Sequence, residues 1–248
     1  MVEARDWENA TTNNKIQNLS MKEIRNSLLL AKQLLFSRYK FDVFDFSIKN
    51  SILITLQILK YYFEKPNFIK KGDFLLFNID YPKEYMHQES IKYNITVGVS
   101  YCQKPLNCPS GRFNDKCNPK PLSVCKNCTV NQIREHAINN NLRFIIITTS
   151  FEFARLHLKM TKNSLRGHKT LYIVSVCPYI LNISKLFSFI LGVKLISIPL
   201  IKEGCNSSKE FLSAEKGYKA QKTEYMRTAH NAFLKTITRF AKSNKYLK

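Results

Sequence analysis

Glycine is scarce in this chain, with seven in 248 residues. Loops that cradle phosphate need several glycines at fixed spacing, and no P-loop, complete dinucleotide fingerprint or nucleophile elbow is present. Acidic residues are also few, 18 Asp and Glu against 39 Lys and Arg, for a formal net charge of +21. Such a balance points toward phosphate-bearing partners or an anionic surface and away from basic ones. Abundant lysine, asparagine and isoleucine give a second, compositional account, with the lysines spread over solvated faces. Long apolar runs are missing too. The most apolar stretches are 51–59, 144–147 and 186–200, and Gly192 and Lys194 interrupt the last. A spanning helix needs about 20 apolar residues, so no membrane span is expected. Residues 1–19 carry Glu3, Asp6 and Glu8 beside Arg5. They lack a basic region followed by an apolar core, so no secretory signal is expected and the reading is cytoplasmic.

Against these absences stand seven cysteines, an odd number that cannot close into a complete internal disulfide set. Cys102, Cys108, Cys117, Cys125 and Cys128 fall close together, the last two spaced C-x-x-C, and Cys177 and Cys205 follow. Crowded thiolates repel one another, so a metal, a cluster or oxidation must neutralise them. Thiolate is a soft ligand that favours zinc, copper(I) or iron–sulfur clusters. A structural zinc site commonly uses two short cysteine pairs, whereas one such pair is present. The wide spacing of Cys102, Cys108 and Cys117 suits a cluster, whose iron atoms sit farther apart than the ligands of one zinc. Cys108-Pro109 and Cys177-Pro178 resemble the Cys-Pro pairs of ferredoxin-type sites. Zinc, a redox dithiol and unligated core cysteines stay open beside the iron–sulfur reading.

The pattern around the cysteines predicts an α/β protein. Apolar spacing gives helices over 21–39 and 45–63, the second stopping before Pro66. The stretch 65–72 reads as a linker and 74–79 as a short strand. A strand over 95–100 delivers the chain to Cys102. Five prolines or glycines in 103–121 exclude regular structure there; a long loop that carries cysteines reads as one wrapped around a metal centre. A helix at 129–140, strand at 142–148, helix at 151–162, strand at 171–176, helix at 181–191 and strand at 193–199 follow. This β-α-β-α-β alternation with continuous apolar strands predicts a parallel sheet flanked by helices. Ligands of such sheets sit beyond the carboxyl ends of the strands, where Cys177 and Cys205 fall. The division expected is a helical region over 1–65, a cysteine-rich α/β domain over 66–215 and a basic helical tail over 216–248. In that tail Lys235, Arg239 and Lys242 are candidate nucleic-acid contacts. His136 and Glu203 read as a solvated helix residue and a solvated loop acid, or as groups near the centre.

The order Cys102, Cys108-Pro109, Cys117, Cys125 to Cys128, strand then Cys177-Pro178, and Pro199-Leu200-Ile201-Lys202-Glu203-Gly204-Cys205 resembles the cysteine-rich family called domain of unknown function 116. The match covers about residues 95–205. Thr148-Thr149-Ser150 stands where the family has a glycine-rich turn. The resemblance implies a cysteine-rich α/β protein that binds a metal or cluster, without naming a substrate. The function expected is electron transfer or redox chemistry at an iron–sulfur centre. It would serve a redox partner or a small-molecule substrate. The ligands would be Cys102, Cys108, Cys117, Cys125 and Cys128, joined by Cys177 and Cys205 at the same centre or a second one. The competing expectation is a zinc-stabilised module presenting a basic surface to nucleic acid.

Overall fold

Period-two alternation builds the sheet. In Thr170–Val176, Leu171 and Ile173 enter one apolar core while Tyr172, Val174 and Val176 enter the other, and every residue of the strand is buried. A strand apolar on both sides belongs in the middle of a sheet covered on both faces. The computed structural model describes residues 45, 48–64, 68–71, 74–79, 93–165, 169–177, 180–181, 184, 188, 192–200, 202–205, 207–225 and 227–245. The expected helix over 21–39 lies outside the described residues. Of the one over 181–191, residues 181, 184 and 188 are described and helical.

The described elements are α1 (Ser51–Glu64), β1 (Phe68–Lys71), β2 (Phe74–Phe77), β3 (Asn94–Ser100), α2 (Ser123–Lys126), α3 (Thr129–Asn139), β4 (Arg143–Ile147), α4 (Ser150–Leu165), β5 (Thr170–Val176), β6 (Lys194–Pro199), α5 (Ser208–Ala214) and α6 (Arg227–Lys245). Among the described residues the sheet has six strands in the order β1-β2-β6-β5-β3-β4. β4, β3, β5 and β6 run parallel, and β1 and β2 join antiparallel at the β6 edge. The stretch 65–72 is therefore not simply a linker. Its residues 68–71 are an edge strand in register with β2, Phe68 opposite Phe77 and Lys71 opposite Phe74. Lysines on an edge strand discourage pairing with other chains and make the segment look like a loop.

One face of the sheet packs on α3 and α6, through Val130, Ile133 and Ala137 of the former and Phe233, Ile237 and Phe240 of the latter. The other face packs on α4, through Phe153, Leu158 and Met160, with Leu53 and Ile54 of α1 against it. The tail thus docks on its own sheet. Of its described residues, 227–245 are helical and 216–225 form a non-helical strap. Among the described residues no helix is long and apolar enough to cross a membrane.

His157 lies inside the second core, its Nδ1 2.9 Å from the Phe153 carbonyl oxygen and its ring between Phe153 and Tyr172. Burial lowers its pKa from 6.5 to about 4. With the folded value below the unfolded one, its share of stability is complete above pH 6.5. That share is lost as pH falls from there through about 4. The loss is on the order of 3 kcal/mol. Urea unfolding at neutral pH and near pH 4.5 measures it. The stability gap between the two conditions is expected to shrink by about 2–3 kcal/mol in His157→Phe.

Candidate metal centre

The strand order decides where a ligand would sit. β3 is followed by β4 on one side, while β5 pairs with it on the other, so the order reverses between β3 and β5. The crevice outside the carboxyl ends at such a reversal is the usual ligand site of open α/β sheets. Here three chain segments bring cysteines to one pocket: Cys102 in the 3-10 turn after β3, Cys177 just past β5, and Cys205 beyond β6. Cys102 and Cys205 are buried and Cys177 is half-buried. Its empty space is about 490 Å³ counted out to solvent, but the interior is narrow, with room for a few water-sized groups.

The other four cysteines line a second pocket. Cys108 and Cys117 come from the irregular loop, Cys125 from α2 and Cys128 from the N-cap of α3. This pocket has about 300 Å³ of empty space on the same measure. Sequence reading grouped Cys102 with these four, but Cys102 lines the strand-end pocket with Cys177 and Cys205. Among the described residues, no group of three or more His, Cys, Asp or Glu side chains has the arrangement to hold a metal ion.

A buried lysine shapes the loop between Cys108 and Cys117. The Lys104 side chain is 1% exposed, and its Nζ donates to the carbonyl oxygens of Gly111 (3.1 Å), Asn114 (3.0 Å) and Lys116 (2.6 Å) and to Asn114 Oδ1 (2.8 Å). An irregular segment has no helix or ladder to satisfy its carbonyls, so one ammonium serves as the common donor. Asn114 Oδ1 also accepts from the Lys116 amide, and the loop turns at Gly111, whose φ of +78° suits glycine. Burial lowers the Lys104 pKa, opposed by the nearby thiols of Cys108 and Cys117, by Asp115 and by Cys128. Burial likewise raises the Cys117 thiol, against the pull of Arg134, while Cys128 adds to the rise. Cys125 Sγ accepts a hydrogen bond from the Lys120 amide at 3.4 Å. Cys128 stands at the N-cap of the eleven-residue helix α3.

The strap runs past the strand-end pocket, which Thr223 lines. The Thr223 amide donates to the Cys102 carbonyl oxygen (2.9 Å), and the Arg112 guanidinium donates to that same oxygen and to the carbonyls of Lys219 and Gln221. Phe113 of the loop stacks edge-on against Tyr101 at 4.9 Å and lies where a side chain at Gly217 would go. Arg112 and Phe113 therefore tie the two pockets together. Burial raises the thiols of both Cys102 and Cys205, and the Lys219 ammonium near them opposes it.

The N-terminus of α4 is already filled by an anion. Both carboxylate oxygens of Glu215 accept from the Ser150 amide at 3.0 Å, and Ser150 Oγ donates to one of them at 2.7 Å. This is the turn Thr148-Thr149-Ser150. A phosphate would have to displace a buried carboxylate from the helix end it would use. Sequence reading did not find Lys104, Arg112 or Glu215. Glu215 lies 65 residues from its partner, and Lys104 is one lysine among many.

The remaining candidates lie elsewhere. His136 Nε2 is 2.7 Å from Thr238 Oγ1, joining α3 to α6, and Glu203 is exposed. Lys235, Arg239 and Lys242 are exposed on α6, opposite its buried Phe233, Ile237 and Phe240, and line neither pocket. No family model, curated protein or solved structure matches this chain.

Proposed function

We propose that this chain is an iron–sulfur protein with an electron-transfer or redox role, and that Cys108, Cys117, Cys125 and Cys128 are ligands of its cluster. The observation that carries the reading is that four cysteines from three separate turns line one pocket. A tetrahedral zinc site needs its sulfurs about 3.8 Å apart, given zinc–sulfur bonds of about 2.3 Å. An iron–sulfur core presents several metal corners, so its thiolates stand farther apart.

The surrounding residues suit such a group. Four thiolates around a cluster leave a negative net charge, which Lys104 and Arg134 beside them offset. The Lys120 amide directed at Cys125 Sγ is the kind of hydrogen bond that sets a cluster's potential. When bound, the cluster supplies one-electron transfer. Cys125→Ser, at a buried position, is expected to cost most of the visible absorption and iron of protein purified without oxygen. Lys235→Ala, exposed on α6 and lining neither pocket, should leave both near wild type. Equal colour and iron in Cys125→Ser and wild type would refute the ligand assignment.

A further inference from the structure

We infer that Cys177 and Cys205 form a reversible disulfide at the strand-end pocket, with Cys177 the thiol that a small oxidant of the peroxide class reaches. The inference is independent of the reading above, since neither cysteine lines the pocket of Cys108, Cys117, Cys125 and Cys128.

The backbone brings the two together. β5 and β6 stay paired to their carboxyl ends, Val176 opposite Pro199, and the Leu200 amide donates to the Val176 carbonyl oxygen at 2.7 Å. Cys177 therefore leaves the sheet beside the start of the segment that carries Cys205. That segment pairs with Glu224 through Lys202 and turns at Glu203, whose φ is +54°. Cys205 then packs with Phe211 and Ala214 of α5, and Cys177 packs against the same cluster. Cys102 lines the pocket too, but it packs in the core beneath α3 and α6. Its amide donates to Ser100 Oγ, and its carbonyl oxygen accepts from the Thr223 amide and Arg112. Of the three, Cys177 and Cys205 are the pair that share a cluster.

Cys177 is half-buried while Cys102 and Cys205 are buried, so an entering molecule meets Cys177 first. Hydrogen peroxide is little larger than water, and the narrow interior that excludes larger ligands admits it. An accessible thiol poised beside a second one is the arrangement of redox-sensing cysteines. The Cys177 sulfur attacks one peroxide oxygen, the O–O bond breaks, and a sulfenic acid and water form. The Cys205 sulfur then attacks the Cys177 sulfur. The S–O bond breaks, the S–S bond forms, and the hydroxyl leaves as water with the thiol proton. A pair of electrons passes from the two thiols to the peroxide, and an external dithiol reverses the bond. A disulfide needs its Cβ atoms about 3.8 Å apart. Residues 203–205 lie outside helix and strand, so Cys205 is the side that adjusts. The Lys219 ammonium near Cys205 opposes the rise that burial imposes on its thiol, which favours the attacking thiolate.

Tryptic mapping without reductant, on the full chain purified without oxygen and then treated with hydrogen peroxide, tests the inference. Lys185, Lys194 and Lys202 lie between the two cysteines and put them on different peptides. A peptide pair joined through Cys177 and Cys205 is expected, and dithiothreitol should release it. In Cys205→Ser, Cys177 is expected to stop at the sulfenic acid and to be labelled by dimedone. In Cys177→Ser the joined pair should be lost and Cys205 should stay reduced. Mapping of the wild type decides the question should a variant fail to fold. Cys177 and Cys205 still reduced in wild type after peroxide would overturn the inference. Cys205 joined to Cys102 in place of Cys177 would overturn it as well.

Discussion

Lys104→Met is expected to open the cysteine loop and strip the pocket of Cys108, Cys117, Cys125 and Cys128 of the proposed cluster while leaving the sheet folded. Methionine keeps most of the side chain's length and volume but removes every donor. The carbonyls of Gly111, Asn114 and Lys116 and the Asn114 side chain then lose their shared partner. A hydrogen bond to a charged group is worth about 1.5–3 kcal/mol, and a buried acceptor left without a partner costs about 1–3 kcal/mol. These costs are not additive. Even two of them, about 4 kcal/mol, exceed what an irregular loop can supply from its own contacts. Hydrogen exchange should show lost protection across 108–118 with β3, β5 and β6 unchanged, and bound iron should fall severalfold. Lys104→Arg keeps the charge but swaps a compact ammonium for a planar fork, so an intermediate loss is expected. Wild-type protection and iron content in Lys104→Met would contradict the role given to this residue.

The second large effect belongs to the sheet. Gly98 sits in the middle of β3 on the face where the Tyr172 ring lies. A Cβ there would stand 2.7 Å from one ring carbon and 2.8 Å from another, and closer still to the hydroxyl. Tyr172 is fully buried and its ring packs against those of Phe153 and His157, so it cannot swing away cheaply. Gly98→Ala is therefore expected to destabilise by about 3 kcal/mol, against the 0.4–1 kcal/mol or so that alanine gains by restricting the unfolded chain. That corresponds to a fall in Tm of roughly 10 °C for a chain of this size. Adding Tyr172→Phe removes the closest atom, and the double variant should recover part of the loss. Calorimetry of the three variants gives the coupling. Strictly additive effects would show that the ring and the glycine do not meet.

Much of the architecture was legible because strands buried on both faces leave an unmistakable pattern. The runs that became β3, β4, β5 and β6 are short, apolar and separated by helical periods. The edge strand β1 was hidden because Phe68-Ile69-Lys70-Lys71 has the composition of a solvated link, and only its register against β2 makes it a strand. The candidate residues were legible as a set but not as a partition. Cys102 and Lys104 are two residues apart, yet they line different pockets, because the 3-10 turn at Tyr101–Gln103 ends between them. Nothing in the sequence marks Lys104 as buried. Its environment is made by carbonyls up to twelve residues away, and a carbonyl carries no signature of residue type.

Anaerobic purification of the full chain, with iron, zinc, acid-labile sulfide and visible absorption measured on one sample, tests the central claim most directly. The account predicts brown protein that bleaches on reduction and contains iron and sulfide in comparable amounts, with the colour dependent on Cys125 and Cys128. Colourless protein with one zinc per chain and no sulfide would contradict it.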